Sequence, residues 1–303
     1  MLQRISLYLK EMYPPGPALA MAVVSFLNLY FMLAVLNGQS LRVDTPVMAG
    51  SLTLFLFLLF LRVSDELKDL ESDKRLFPER LVPSGQVLVR DLNALMAFSV
   101  AGMVALNLWF SGALLAFGLL FGYGVLMFHY FFMPGLISGS LLLALISHNP
   151  SVLLMNAYVV AVFCNRYGLD FWQPSHYYLI ALFWLPGLAW ELARKLRAPQ
   201  DETDYVTYSK IFGYKLGAML PVAALGLHYF LLVRLSDQLS LSMPFLGLLS
   251  LVLLGVVAAF GRFIISPNAL TARLKPVTEA YMLVSALGLL LELSLRRGVL
   301  WIL

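Results

Sequence analysis

Residues 46–85 read PVMAGSLTLFLFLLFLRVSDELKDLESDKRLFPERLVPSG. From Pro46 to Leu61 there is no charged residue, and from Arg62 onward charges crowd the segment. A run of that length and polarity is what a bilayer-crossing helix needs, about 20 mostly apolar residues. The abrupt change of composition marks the membrane edge. The fold is therefore read as helices in lipid, with chemistry gathered where this helix emerges.

The whole chain supports that reading. Of 303 residues, 60% are hydrophobic and 13% charged, with a mean hydropathy of +0.82. A soluble domain carries about a quarter charged residues, so lipid must solvate much of the outside. No stretch is left for a separate soluble domain, and residues 1–303 are expected to form one transmembrane domain. The single cysteine, Cys164, rules out an intramolecular disulfide and a multi-cysteine metal site. A pI near 9.1 reflects Lys and Arg in loops, which fits contact with anionic membrane lipid and not nucleic acid. The run from Pro17 to Leu36 is longer than a signal-peptide core and reads as a retained first helix.

Spanning helices are expected near 17–37, 46–63, 91–109, 112–132, 137–164, 176–194, 213–234, 243–265 and 277–295. The fifth contains His148-Asn149-Pro150, where the missing proline donor kinks or divides it. With nine helices, all the Lys and Arg residues except Arg42, Arg166, Arg234, Arg296 and Arg297 fall on one side. By the positive-inside rule, that side is cytoplasmic, so the protein is expected to be a multi-pass cell-membrane protein. The N-terminus and the long loops 64–90 and 195–212 lie inside, the C-terminus outside. The two loops follow helices four apart, a weak hint of duplication.

If the second helix continues past the surface, Asp65, Asp69 and Asp73 fall one turn apart within about an 80° stripe. Like charges so spaced destabilise a bare helix, and a cation compensates them. Oxygen donors without His or thiol suit Mg²⁺, which binds through one or two carboxylates plus substrate phosphates. Lys74, Arg75 and Arg80 stand where they can fold over a bound polyanion. In a merely solvated helix end, Glu71–Arg75 would be an ordinary i,i+4 pair. Pro83-Ser84-Gly85 reads as a turn.

In the second loop, Glu191 still lies on an apolar helix and must face a partner or a wet cavity. Arg194 and Lys195 share its face, so an internal ion pair is the plain alternative. Asp201, Glu202 and Asp204 form a second acidic group on the same side. Arg197, Ser209 and Lys210 add cationic and hydroxyl donors. His148, Asn149 and Asn156, with Asn28 and Glu279, are further candidates to line a cavity.

Asp65-xxx-Asp69-xxx-Asp73, followed by Arg80 and Pro83-Ser84-Gly85, resembles the first signature of the UbiA superfamily of membrane prenyltransferases. The segment from Glu191 through Pro199 to Asp204, then Ser209-Lys210 and Gly213, resembles its second acidic motif in variant form. Ser64 stands where that family has asparagine, and Leu81 where it has proline after the arginine. The resemblance covers nearly the whole chain and implies an all-α, nine-helix bundle around a central cavity. It implies Mg²⁺ on Asp65, Asp69, Asp73, Asp201 and Glu202, and catalytic roles for Asp65, Asp69, Asp73 and Glu191. Lys74, Arg80, Arg194, Lys195, Arg197, Ser209 and Lys210 would bind an isoprenyl diphosphate, whose prenyl group passes to a lipophilic acceptor, aromatic ones included. Two other activities stay open: a terpene cyclase of the same fold acting on the donor alone, and a divalent-cation transporter. Against transport, the carboxylates crowd one membrane face and not the midplane. A CDP-alcohol phosphotransferase would need an Asp-Gly-xx-Ala-Arg element that is absent from the sequence.

Overall fold

The computed structural model describes residues 1–137 and 139–302. The chain is 78% helical. Among the described residues the one sheet is a parallel pair of three-residue strands, β1 (Leu41–Val43) and β2 (Val299–Trp301). Among the described residues, seven helices are long and apolar enough to cross a membrane. They are Pro15–Leu36 (α2), Thr45–Lys68 (α3), Val89–Ser111, Leu141–Tyr167, Tyr214–Arg234 (α12), Met243–Ile265 (α14) and Lys275–Arg297 (α15). The span Val89–Ser111 comprises α5 (Val89–Leu106) and a wider turn, Asn107–Ser111.

Two other expected positions carry helices as well. Pro174–Ala193 (α10) has Pro186 inside it. Leu114–Phe128 (α6) has only 15 residues, roughly 22 Å of rise, short of a hydrocarbon core about 30 Å thick. By length and composition the number is seven, against the nine read from the sequence.

The expected helix 137–164 is three pieces. Pro134–Ile137 (α7) is a single turn, and Leu141–His148 (α8) and Pro150–Tyr167 (α9) follow as one kinked rod. Asn149 keeps helical angles (φ −60°, ψ −35°), so Pro150 bends the rod without ending it. Side chains supply bonds around the bend: Asn149 Nδ2 donates to the Leu145 carbonyl at 3.0 Å and Ser151 Oγ to that of His148 at 2.6 Å. Trp184 of α10 donates to Asn149 Oδ1 at 3.0 Å and pins the kink to its neighbour.

Packing runs as a closed circuit: α3 on α2, α2 on α15, then α14, α12, α10, α9, α6 and back to α3. Every residue from Phe26 to Ala34 of α2 is buried, the mark of a helix that is apolar all round and enclosed by others. A Cβ at Gly50 would run into the Phe26 ring, so glycine lets α3 approach α2 closely. Outward-facing Leu251, Leu254, Leu291 and Leu295 are exposed, an apolar exterior suited to lipid. The β1–β2 pair joins the loop after α2 to the C-terminal segment, putting both at one end of the bundle.

The short N-terminal helix Leu2–Met12 (α1) is tied down by Arg4, whose guanidinium reaches both oxygens of Asp91 at 2.6 and 3.1 Å. Asp91 also accepts from the Leu88 amide at 3.1 Å, capping α5. An open apolar groove of about 730 Å³ runs along α5, lined by residues such as Met96, Ala101 and Trp109. None of the residues singled out for chemistry lines it.

Candidate functional site

Helix α3 runs out of its apolar stretch and bends at Asp69 (φ −93°, ψ 2°) into α4 (Leu70–Leu76). The Asp69 amide donates to the Asp65 carbonyl and the Asp73 amide to that of Asp69, both at 2.9 Å. These bonds carry the one-turn register through the bend, so the three aspartates keep a common stripe. Each is engaged on one oxygen. Lys68 Nζ lies 3.1 Å from Asp65, the Tyr130 hydroxyl donates to Asp69 at 2.8 Å, and Arg80 donates to Asp73 at 2.7 Å.

The return of Arg80 is built by a tight turn. The Ser84 amide donates to the Arg80 carbonyl at 2.9 Å, and the Gly85 amide to that of Val82 at 3.0 Å. Gly85 sits at φ +80°, a conformation glycine adopts without steric cost. Arg80 also covers the Phe77 ring, 4.0 Å from its centroid. Glu71 departs from expectation: it pairs with Lys74 at 2.7 Å, not with Arg75. That contact holds the Glu71 carboxyl below its ordinary value. Lys74 is thus turned to Glu71 and away from the stripe, while Arg75 stays exposed.

Tyr130 was not legible as a site residue. It is bonded to Asp69 across 61 positions, and its ring lies under Lys68 Nζ at 4.7 Å. Burial, then the Asp69 hydrogen bond, raises its phenol above the usual value. Tyr130, Phe131 and Phe132 take φ of 51°, 52° and 61° in succession. Left-handed backbone at consecutive aromatic residues is strained, and such strain persists where surrounding contacts enforce it. Tyr130 is held by its bond to Asp69, Phe131 by the Tyr123 ring at 5.3 Å and Phe132 by the His129 ring at 5.7 Å.

The second motif is arranged differently. Arg194 forks onto both oxygens of Glu191 at 2.5 and 3.0 Å, Lys195 stands 3.5 Å away, and the Tyr208 hydroxyl donates at 3.3 Å. Lys195 lies over the Tyr208 ring at 5.8 Å. Burial, then the Glu191 charge, raises the Tyr208 phenol. Glu202 turns inward and accepts from the Thr207 and Ser209 hydroxyls at 2.6–2.8 Å. Ser209 in turn accepts from the Arg197 amide at 2.9 Å. Arg197 donates to the Thr203 hydroxyl at 2.9 Å and Lys210 to the Thr203 carbonyl at 2.7 Å. Asp201 and Asp204 are exposed. Glu279 accepts from Trp190 at 2.9 Å, and Asn28 donates to the Ala286 carbonyl at 2.9 Å.

The junction of α8 and α9 is tied to two neighbours: Tyr123 of α6 donates to the Ser147 carbonyl at 2.8 Å and Trp184 of α10 to Asn149 Oδ1 at 3.0 Å.

The donor chemistry suits a hard cation: carboxylate oxygens, with second oxygens on Asp65 and Asp69 that have no protein partner among the described residues. No group of three or more His, Cys, Asp or Glu side chains among those residues is gathered closely enough to hold one ion. The one-turn spacing and the separate partners keep the three aspartates apart. Mg²⁺ with phosphate ligands needs only one or two carboxylates. Both Glu202 oxygens accept from hydroxyls.

No family profile matches the chain, and neither does any curated protein sequence. A solved structure does: one described as a digeranylgeranylglyceryl phosphate synthase in membranes, with a TM-score of 0.59 and 14% identity over 96% of this chain and 99% of that one. At that identity the likeness shows a common fold.

Proposed function

We propose that the protein is a membrane prenyltransferase that ionises an isoprenyl diphosphate and passes the prenyl group to a lipophilic acceptor. The observation that carries this is the aspartate stripe at the end of α3, with Arg80 folded back onto Asp73 at 2.7 Å. Carboxylates and a guanidinium meeting at a membrane edge are the partners that a metal-bound diphosphate requires. The shared fold supports the reading independently of these residues.

Asp65 and Asp69 would hold Mg²⁺, with Asp73 positioning Arg80. Bound there, Mg²⁺ would supply positive charge against the diphosphate oxygens. The chain's own part is complementary. Arg80, Arg197, Lys195 and Lys210 draw the leaving diphosphate towards the membrane surface, and its developing charge is met by preorganised cations. The apolar bundle below takes the prenyl chain and keeps water from the allylic cation. Glu191 holds Arg194 and Lys195 in place and does not itself act on the substrate. Nine crossings, with both motif loops cytoplasmic, are part of the same proposal.

The test is product analysis by mass spectrometry on protein in nanodiscs, given labelled geranylgeranyl diphosphate with and without Mg²⁺. Diphosphate release that requires Mg²⁺ and is abolished in Asp69→Asn is the expected result. Release that is undiminished in Asp69→Asn sinks the assignment. A cyclic hydrocarbon from donor alone would instead select the terpene cyclase reading.

A further inference from the structure

The apolar groove along α5 does not stop at bare lipid-facing surface. At Leu108 and Trp109, which line both, it adjoins a second cavity of about 340 Å³. The groove includes Ala97, Ala101 and Ala105, spaced four apart and so on one face of the helix. The second cavity is lined by Ser111, Gly112, Asn165 and Arg166, with Pro46 beside them. Pro46 lies in the first turn of α3 and Asp65 in its last, so this pocket sits at the end of the bundle opposite the aspartate stripe.

The pocket joins the turn after α5 to the end of α9. Gly112 has φ +68°, and a Cβ there would fall 2.1 Å from Asn165 Nδ2. Glycine is therefore required for the close approach of the Asn165 amide. Arg166 pairs with Asp44 at 3.0 Å, but unevenly, the cation side chain being 42% exposed and the carboxylate 6%. Asp44 is turned inward, where it caps α3 by accepting from the Val47 amide at 3.3 Å, and it does not line the pocket. The pocket is thus faced by the guanidinium, which has five donors, and by an exposed amide. Trp109 stands between the two cavities and is 72% exposed. Tryptophan belongs at the level of the lipid headgroups, which sets the pocket at that level and the groove in the hydrocarbon. From Asn93 to Trp109 the groove runs roughly 24 Å, more than the depth of one leaflet of a core about 30 Å thick.

A cation at headgroup level above an apolar trough is complementary to an amphiphile with a phosphate at one end. The alanine spacing by itself would also suit a second helix. A copy of this chain related by a two-fold axis along the membrane normal, however, brings each Arg166 pocket towards its own twin, cation towards cation. We propose that this face holds one phospholipid, with its phosphate on Arg166 and Asn165 and an acyl chain along the alanine face of α5. Under the topology proposed above, that lipid belongs to the outer leaflet. The site stands apart from the motif loops and does not depend on the prenyltransferase reading.

The experiment takes the full chain in detergent, stripped of lipid, and reads bound mass by native mass spectrometry. The probes are palmitoyl-oleoyl phosphatidylglycerol, dioleoylglycerol and inorganic phosphate. Wild type is expected to retain one phosphatidylglycerol, held at least about tenfold more tightly than dioleoylglycerol, and to retain no phosphate. In Arg166→Gln, phosphatidylglycerol should bind about ten- to hundredfold more weakly, with dioleoylglycerol little changed. Because that variant also leaves Asp44 buried without its cation, two variants at exposed positions carry the test with it. Asn165→Ala should weaken phosphatidylglycerol by about tenfold, and Ala101→Phe, which fills the groove, should weaken both lipids. Phosphatidylglycerol affinity within about threefold of wild type in both Asn165→Ala and Ala101→Phe overturns the proposal. So does dioleoylglycerol binding as tightly as phosphatidylglycerol, since the phosphate is then not recognised. Inorganic phosphate retained as firmly as the lipid overturns it in favour of a plain anion pocket. A lipid-free dimer that Ala101→Phe abolishes overturns it in favour of a second copy.

Discussion

The two motif loops share a plan and differ in readiness. In each, a tyrosine hydroxyl donates to a motif carboxylate while a lysine lies over the same ring: Tyr130 with Asp69 and Lys68, Tyr208 with Glu191 and Lys195. In the first, each carboxylate is contacted on one oxygen only. In the second, Glu191 is forked by Arg194, and Glu202 is closed by two hydroxyls. Asp65 and Asp69 each keep an oxygen without a protein partner among the described residues, whereas Glu191 and Glu202 are taken up by cations and hydroxyls, and only Asp201 and Asp204 of the second loop stay exposed. Acidic residues in a motif are thus no guide by themselves to which ones meet a ligand.

The largest expected difference between the halves follows from that. Asp69→Asn should lower the rate of diphosphate release by roughly 10³-fold, the scale of removing a group that acts on developing charge. Glu202→Gln should change it by less than about threefold. Equal losses in the two variants, read in the same nanodisc assay, would erase the distinction between a ligating and a self-satisfied half.

Next comes the cationic side. Arg80→Lys keeps the charge but loses the planar fork that suits a phosphate, and KM for the donor should rise by about tenfold with a smaller change in kcat. Lys74→Met should alter neither by more than about twofold, since Lys74 is paired with Glu71. Steady-state kinetics on the two variants separates a clamp residue from an ordinary topology charge. An Arg80→Lys enzyme with unchanged KM would remove Arg80 from the donor site.

The phenols come third. Hydrogen bonds to charged groups are worth about 1.5–3 kcal/mol, so Tyr130→Phe should cost about ten- to hundredfold in diphosphate release. Tyr208→Phe should cost less, because Glu191 retains both Arg194 bonds. The reverse order would place the active carboxylate in the second loop.

How much of this could be read in advance depended on how local the signal was. The apolar runs gave helix positions because a spanning helix is a property of twenty consecutive residues. The one-turn backbone spacing of the aspartates continues through the bend at Asp69 because i,i+4 bonds do. The turn carrying Arg80 was readable from Pro83-Ser84-Gly85 for the same reason. Tyr130 was not, since its partner is 61 positions away and its left-handed backbone contains no glycine to announce it. The fate of Glu202 depended on the hydroxyls of Thr207 and Ser209, contacts made by the fold of a short loop. The division of residues 137–164 was ambiguous because Pro150 permits either a kink or a break, and the choice is made by Trp184 from another helix.

The smallest effect is a matter of pH. An unfolded tyrosine loses its proton near pH 10, whereas burial and an adjacent carboxylate keep Tyr130 and Tyr208 protonated above that. Above about pH 10 the folded state therefore binds more protons than the unfolded chain, and stability falls as pH rises. Below that value both states are protonated and the contribution is flat. Thermal midpoints measured from about pH 9 to 11 should decline less steeply in Tyr130→Phe and in Tyr208→Phe than in wild type, with the double variant flattest. Because burial is the largest cause for both phenols, the single variants should flatten the slope by similar amounts, even though their effects on activity differ. Slopes parallel to wild type would mean that neither phenol is held as the geometry indicates. A clear inequality would show that the shared plan of the two loops does not extend to how tightly each encloses its tyrosine.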